Sequence, residues 1–116
     1  MKQRASLSVL GLALLAGGGS FGCAYNAATE ACYALADGLG ARLNTCGYAA
    51  TAESGAQAVH DVWATQGLYC DSSPTGIDDE DAFYDECFPA LEVYDCAMLA
   101  AGEMPETCYR IVYRSR

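Results

Sequence analysis

Seven cysteines, one histidine and a run of acidic side chains are the groups in this chain that could do chemistry. The cysteines stand at positions 23, 32, 46, 70, 87, 96 and 108, separated by 9, 14, 24, 17, 9 and 12 residues. No CxxC pair occurs, so the spacing lacks the close ligand pairs of a structural zinc knuckle and the dithiol of a thioredoxin-like redox motif. So many cysteines in 116 residues point instead to disulfides formed in an oxidising compartment. His60 is followed by Asp61, but no local signature supplies the serine or cysteine nucleophile that a His–Asp pair would activate. A small hydrolase built on His60 is therefore the remotest reading, and a surface histidine the simpler one.

The acidic run admits two readings. Counted as a calcium loop from Asp71, the chain offers Ser73, Thr75, Gly76 and Asp79 at positions three, five, six and nine. Ala82 then falls where the bidentate glutamate belongs and Asp78 where an apolar residue belongs, which argues against that loop. Asp78, Asp79, Glu80 and Asp81 could hold a cation weakly. They equally suit the positive N-terminal end of a helix, and that reading is preferred. No cofactor and no resident metal is expected.

The elements that would position these residues begin with a segment for export. Lys2 and Arg4 precede an uncharged run from Leu7 to Ala16, which passes through glycines and Ser20 to Phe21, Gly22 and Cys23. A basic start, a short apolar core and a small-residue exit make a secretory signal over residues 1–22, too short to be a membrane span. The ending Gly22-Cys23 resembles the lipobox of a bacterial lipoprotein, although Ser20 and Phe21 stand where that family usually carries leucine and a small residue. The resemblance implies that Cys23 becomes the first residue, carrying a diacylglyceryl thioether and an N-acyl chain. Ala24, which is not aspartate, implies sorting to the outer membrane under the same family's rule. Six cysteines then remain, an even number that allows three disulfides.

The mature chain, residues 23–116, keeps four arginines against fifteen carboxylates, a net charge of −11. So acidic a domain is no partner for nucleic acid, whose phosphates need clustered positive charge. Its alanines, and its few β-branched residues, favour helix. An all-α fold is expected: a small disulfide-stapled bundle of three to four short helices. The first helix is predicted from Asn26, its cap, to Asn44, with Cys32, Leu35, Leu39 and Leu43 on one face. Gly38 and Gly40 would bend it. The second runs from Ser54 to Thr65, opened by a Ser54–Gln57 capping box and turning Ala56, Val59 and Trp63 inward. Residues 70–76 read as loop. The third runs from Asp78 toward Ala101 with Phe83, Cys87, Leu91, Tyr94 and Met98 as its stripe. Pro89 either kinks it or divides it into 78–87 and 89–101. Gly102 ends it. A fourth spans 105 to about 113, burying Cys108, Ile111 and Val112.

Disulfide connectivity stays open among fifteen possibilities. Cys87 and Cys96 would lie on opposite faces of a straight helix. Cys96 with Cys108, across the Gly102–Pro105 turn, is a plausible pair, as is Cys32 with Cys46 if the first helix is shorter. The tyrosines and Trp63 would serve as core rim or binding surface. Arg110, Arg114 and Arg116 give a basic end to an acidic body, read as helix-end charge complementarity rather than a latch.

The run Cys87, Leu91, Cys96, Leu99, Gly102, Met104-Pro105, Cys108 resembles the cysteine-bearing tail of small secreted lipoproteins common in myxobacteria. That resemblance carries over no catalytic or binding residue. The expected role is that of a small cell-envelope lipoprotein, structural or protein-binding and not an enzyme. It would be held to the bilayer through acylated Cys23 and would contact an envelope protein. The alternative is a soluble secreted or periplasmic interaction module or inhibitor.

Overall fold

The computed structural model describes residues 26–114. Its frame is a helical hairpin. Helix α1 (Ala27–Thr45) is capped by Asn26, whose Oδ1 accepts from the Thr29 N–H at 2.8 Å. Ala28, Ala31, Cys32, Leu35, Ala36 and Leu39 form its buried stripe, while Leu43 is only half-buried. Helix α2 (Ala52–Thr65) starts earlier than expected. The capping box is Thr51 with Ser54, each side chain accepting from the other's backbone N–H, at 2.9 and 3.1 Å. Gln57, the expected partner of Ser54, instead donates to Asp61 one turn on. Ala56 and Val59 point into the core and Trp63 is half-buried, as the spacing predicts.

The two helices meet through glycine. A methyl group at Gly40 would lie 2.7 Å from the Ala52 carbonyl oxygen and 2.7 Å from the Ala56 Cα, and closer still to the Ala56 nitrogen. One at Gly55 would lie 2.5 Å from the Gly40 carbonyl oxygen. Gly40 thus serves close backbone approach rather than a bend.

Loop 67–73 leads to strand β1 (Pro74–Ile77), where composition predicts only loop. It pairs antiparallel with strand β2 (Ile111–Tyr113), joining Pro74 to Tyr113, Gly76 to Val112 and Ile77 to Ile111, with a bulge between Pro74 and Gly76. The fold is mostly helical, as expected, but the described residues also form a two-stranded ribbon that an all-α bundle does not include. Ile77 and Ile111 turn toward the core, and α1 packs against both strands. The predicted fourth helix is reduced to a single 3₁₀ turn, Glu106–Cys108.

Between the strands the chain makes one further helical arm. Asp79 adopts φ 53°, a left-handed conformation that aspartate tolerates better than most residues, and its Oδ1 accepts from the Ala82 N–H at 3.2 Å. Helix α3 (Glu80–Ala82) then runs through a π-helical stretch, Phe83–Cys87, into α4 (Phe88–Glu92). The arm changes from π-helix to α-helix between Cys87 and Phe88, directly before Pro89, where the kink or division was expected. A proline ring clashes with the carbonyl four residues back, and the wider π turn just before it relieves that clash. The break falls at Val93–Asp95, and Asp95 caps the short α5 (Cys96–Ala100) through a 3.0 Å bond to the Met98 N–H. Gly102 ends α5 at φ 92°, as predicted. Phe83, Cys87 and Leu91 are buried, Phe83 meeting the rings of Tyr84 and Phe88 edge-on, but Met98 is 43% exposed and leaves the predicted stripe.

Three disulfides lock these parts together: Cys32–Cys70, Cys46–Cys96 and Cys87–Cys108, with Cα separations of 5.5, 5.7 and 4.7 Å. The candidate pairs Cys96–Cys108 and Cys32–Cys46 are both overturned. Helix α1 reaches Thr45, which holds Cys32 and Cys46 far apart along one axis, and the break at residues 93–95 turns Cys96 toward the end of α1 rather than toward Cys108.

Candidate functional site

The disulfides define what the cysteines can do. All six cysteines of the described residues are bonded, so none offers a thiolate for catalysis or metal binding. Cys87–Cys108 and Cys32–Cys70 are buried, and Cys46–Cys96 is half-exposed. Beside the last of these, Arg42 directs Nε and Nη2 at the Tyr94 carbonyl oxygen, at 3.1 and 2.8 Å. One staple and one guanidinium fork therefore tie the C-terminal end of α1 to the break before α5.

His60 lies among aromatic rings. Its centroid is 5.6 Å from that of Tyr33 and 6.0 Å from that of Trp63, the latter edge-on. The Tyr33 hydroxyl donates to Asp71, next to the Cys32–Cys70 bridge, whereas Asp61 accepts from Gln57. The predicted neighbours His60 and Asp61 are thus engaged with different partners. Tyr33, His60, Trp63 and Asp71 are brought together from α1, α2 and the following loop, an aromatic seam that closes the hairpin. Spacing offered no signal for it, because Asp71 lies 38 residues from Tyr33.

The acidic run does not converge. Asp78, Asp79, Glu80 and Asp81 are all exposed, and Asp79 is used as a helix cap. Among the described residues no group of three or more histidine, cysteine or acidic side chains is arranged to hold a metal ion.

A shallow open groove of about 540 Å³ runs over the ribbon, lined by Thr75–Asp78 and Tyr109–Val112. Arg110 sits there with its Nη2 3.5 Å from Glu86, while its Nε and the nearby Thr107 Oγ1 are buried without a partner. The polar groups of its lining are the Thr75 hydroxyl, the Asp78 carboxylate, the Tyr109 phenol and the Arg110 guanidinium.

Comparison with protein-family models, with curated proteins and with solved structures returns no match. Among the described residues no helix is long and apolar enough to cross a membrane. Cys23, the expected lipidation site, and Arg116 lie outside the described residues.

The N-terminal end of α1 carries features that the sequence reading did not single out. Helix α2 returns antiparallel along α1, so the loop after it, Gly67–Tyr69, lies at the same end as Asn26. Cys32–Cys70 fixes it there. Tyr69 is 54% exposed. Arg114 closes the ribbon onto this loop, its backbone N–H bonding the Ser73 oxygen at 2.8 Å and its Nε the Ser72 oxygen at 2.9 Å.

Proposed function

We propose that residues 23–116 form a small, non-enzymatic lipoprotein of the bacterial cell envelope, anchored through acylated Cys23 and serving a structural or protein-binding role, in the outer membrane if the family's sorting rule holds. The observation that carries this reading is the disulfide count. Cys32, Cys46, Cys70, Cys87, Cys96 and Cys108 pair completely among themselves, which leaves Cys23 no cysteine of its own chain to join. A seventh cysteine directly after Gly22, at the end of an export segment, is where lipid attachment would use it. Two or more acyl chains suffice for stable anchoring. The resemblance of the C-terminal cysteine pattern to small myxobacterial lipoproteins points the same way.

A stapled body suits such a role. A domain of this size buries a limited core, and covalent links make up the difference outside the cell. The test is fractionation of cells expressing the chain and its Cys23→Ala variant. The parent should stay with membranes after a high-salt and alkaline wash and enter detergent. The variant should be released as a folded, soluble protein. Release of both would favour the secreted interaction module instead.

A further inference from the structure

If Cys23 carries lipid, the structure also determines which end of the domain meets the membrane. Only Ala24 and Tyr25 separate Cys23 from the α1 cap Asn26. Three Cα–Cα steps, at no more than about 3.6 Å each, span at most about 11 Å. The polar layer on each side of a bilayer is itself roughly 5–8 Å deep. A tether that short keeps the N-terminal end of α1 close to the headgroups.

The groups at that end suit an interface. The loop Gly67–Tyr69, held to α1 by the Cys32–Cys70 bridge just after it, carries half-buried Leu68 and exposed Tyr69. A tyrosine ring with an apolar body and a polar tip is favoured at headgroup depth. Arg114 is exposed and held against the same loop at Ser72 and Ser73. Of the described arginines, Arg114 lies at this loop, whereas Arg110 is turned to Glu86 at 3.5 Å. Glu30 stands in the first turn of α1, and Asp71, after the bridge, is engaged by the Tyr33 hydroxyl.

We propose that the end of the domain formed by Asn26, Leu68, Tyr69 and Arg114 rests on the headgroup layer of the bilayer, with Tyr69 at the glycerol level and Arg114 toward lipid phosphates. This rests on acylation of Cys23. The opposite end, with Tyr48 in the loop after α1, then faces away, because the 19 residues of α1 place it about 28 Å further out.

The test uses the acylated protein purified from membranes and reconstituted in phosphatidylethanolamine–phosphatidylglycerol vesicles whose acyl chains carry bromine. Trp63→Phe removes the native tryptophan, and Tyr69→Trp or Tyr48→Trp then reports from one end or the other. Both reporter positions are exposed, whereas Trp63 packs against the core, so circular dichroism checks the fold of the Trp63→Phe background. Tyr69→Trp should lose most of its emission to the bromines and shift to the blue, whereas Tyr48→Trp should be unaffected. Adding Arg114→Glu should weaken the quenching at position 69. Equal quenching at both ends, or quenching at neither, overturns the proposed face. Intact mass of the same samples separates the two claims: acylated but unquenched protein refutes only the face, and unacylated protein refutes the anchor with it.

Discussion

Replacing Gly40 with alanine tests whether the hairpin is built on backbone contact. The added methyl would stand 2.7 Å from the Ala52 oxygen and from the Ala56 Cα, and nearer the Ala56 nitrogen. All three are backbone atoms of α2, which cannot rotate away as a side chain can. Restoring a normal carbon contact requires α2 to retreat by roughly 1 Å, and a gap of that size forfeits a quarter to a half of the attraction across the seam. Overpacking of this kind costs about 1–3 kcal/mol, and the rigid obstacle places Gly40→Ala at the upper end. Alanine's higher helix propensity returns roughly 1 kcal/mol. The net loss is about 2 kcal/mol, a fall in Tm on the order of 8–16 °C for a domain of this size. Thermal and urea melts of the disulfide-intact domain would measure it. Gly38→Ala is the control. Its methyl would meet the Phe88 ring at 3.0 Å and Leu91 at 3.3 Å, both side chains able to yield, so its cost should be close to the propensity gain. Gly40→Ala as stable as the parent, or more stable, would refute the close-approach account.

Three further outcomes are expected. Joint replacement of Cys87 and Cys108 by alanine, which opens a link across 21 residues, should cost about 3 kcal/mol in urea melts, and non-reducing peptide maps of the parent should show no Cys96–Cys108 fragment. Burial raises the phenol pKa of Tyr113, and partial desolvation, with the charges of Glu103 and Asp95 and the neighbouring Tyr109, raises that of Tyr94. The unfolded chain ionises these phenols near the ordinary value of about 10, so the stability they contribute is complete below that pH and declines above it. Ultraviolet titration of the folded domain should show Tyr113 and Tyr94 ionising above that ordinary value. Arg42→Lys, which replaces a two-pronged donor with a point charge, should lower stability by about 1 kcal/mol and loosen the Tyr94 segment in hydrogen exchange.

Local chemistry was readable where it decides structure locally. Asn26 caps α1 as its side chain predicts, and Cys32, Leu35 and Leu39 share the buried face that their spacing defines. Elsewhere a distant partner chose between local options. Ser54 can open one capping box or close another, and the box with Thr51 prevails while Gln57 turns to Asp61. Gly40 looks like a hinge until Gly55 is known to lie against it. The Cys108, Ile111 and Val112 pattern fits a helix as well as a short strand, and only the pairing with Pro74–Ile77 decides. Cys46–Cys96, together with Arg42 on the Tyr94 carbonyl, joins α1 to the chain where the third helix was expected to continue. At the candidate site the cysteine parity was legible, but the exposed Tyr69 beside Arg114 was not, since it depends on the return of α2 and on the end of the ribbon.

The measurement that bears most directly on the anchor is the intact mass of the membrane-extracted protein, with thiol labelling before and after reduction. The account predicts a chain beginning at Cys23, heavier by a diacylglyceryl group and an acyl chain, with no reactive thiol before reduction and six after it. An unmodified chain with one reactive thiol at Cys23 would contradict it.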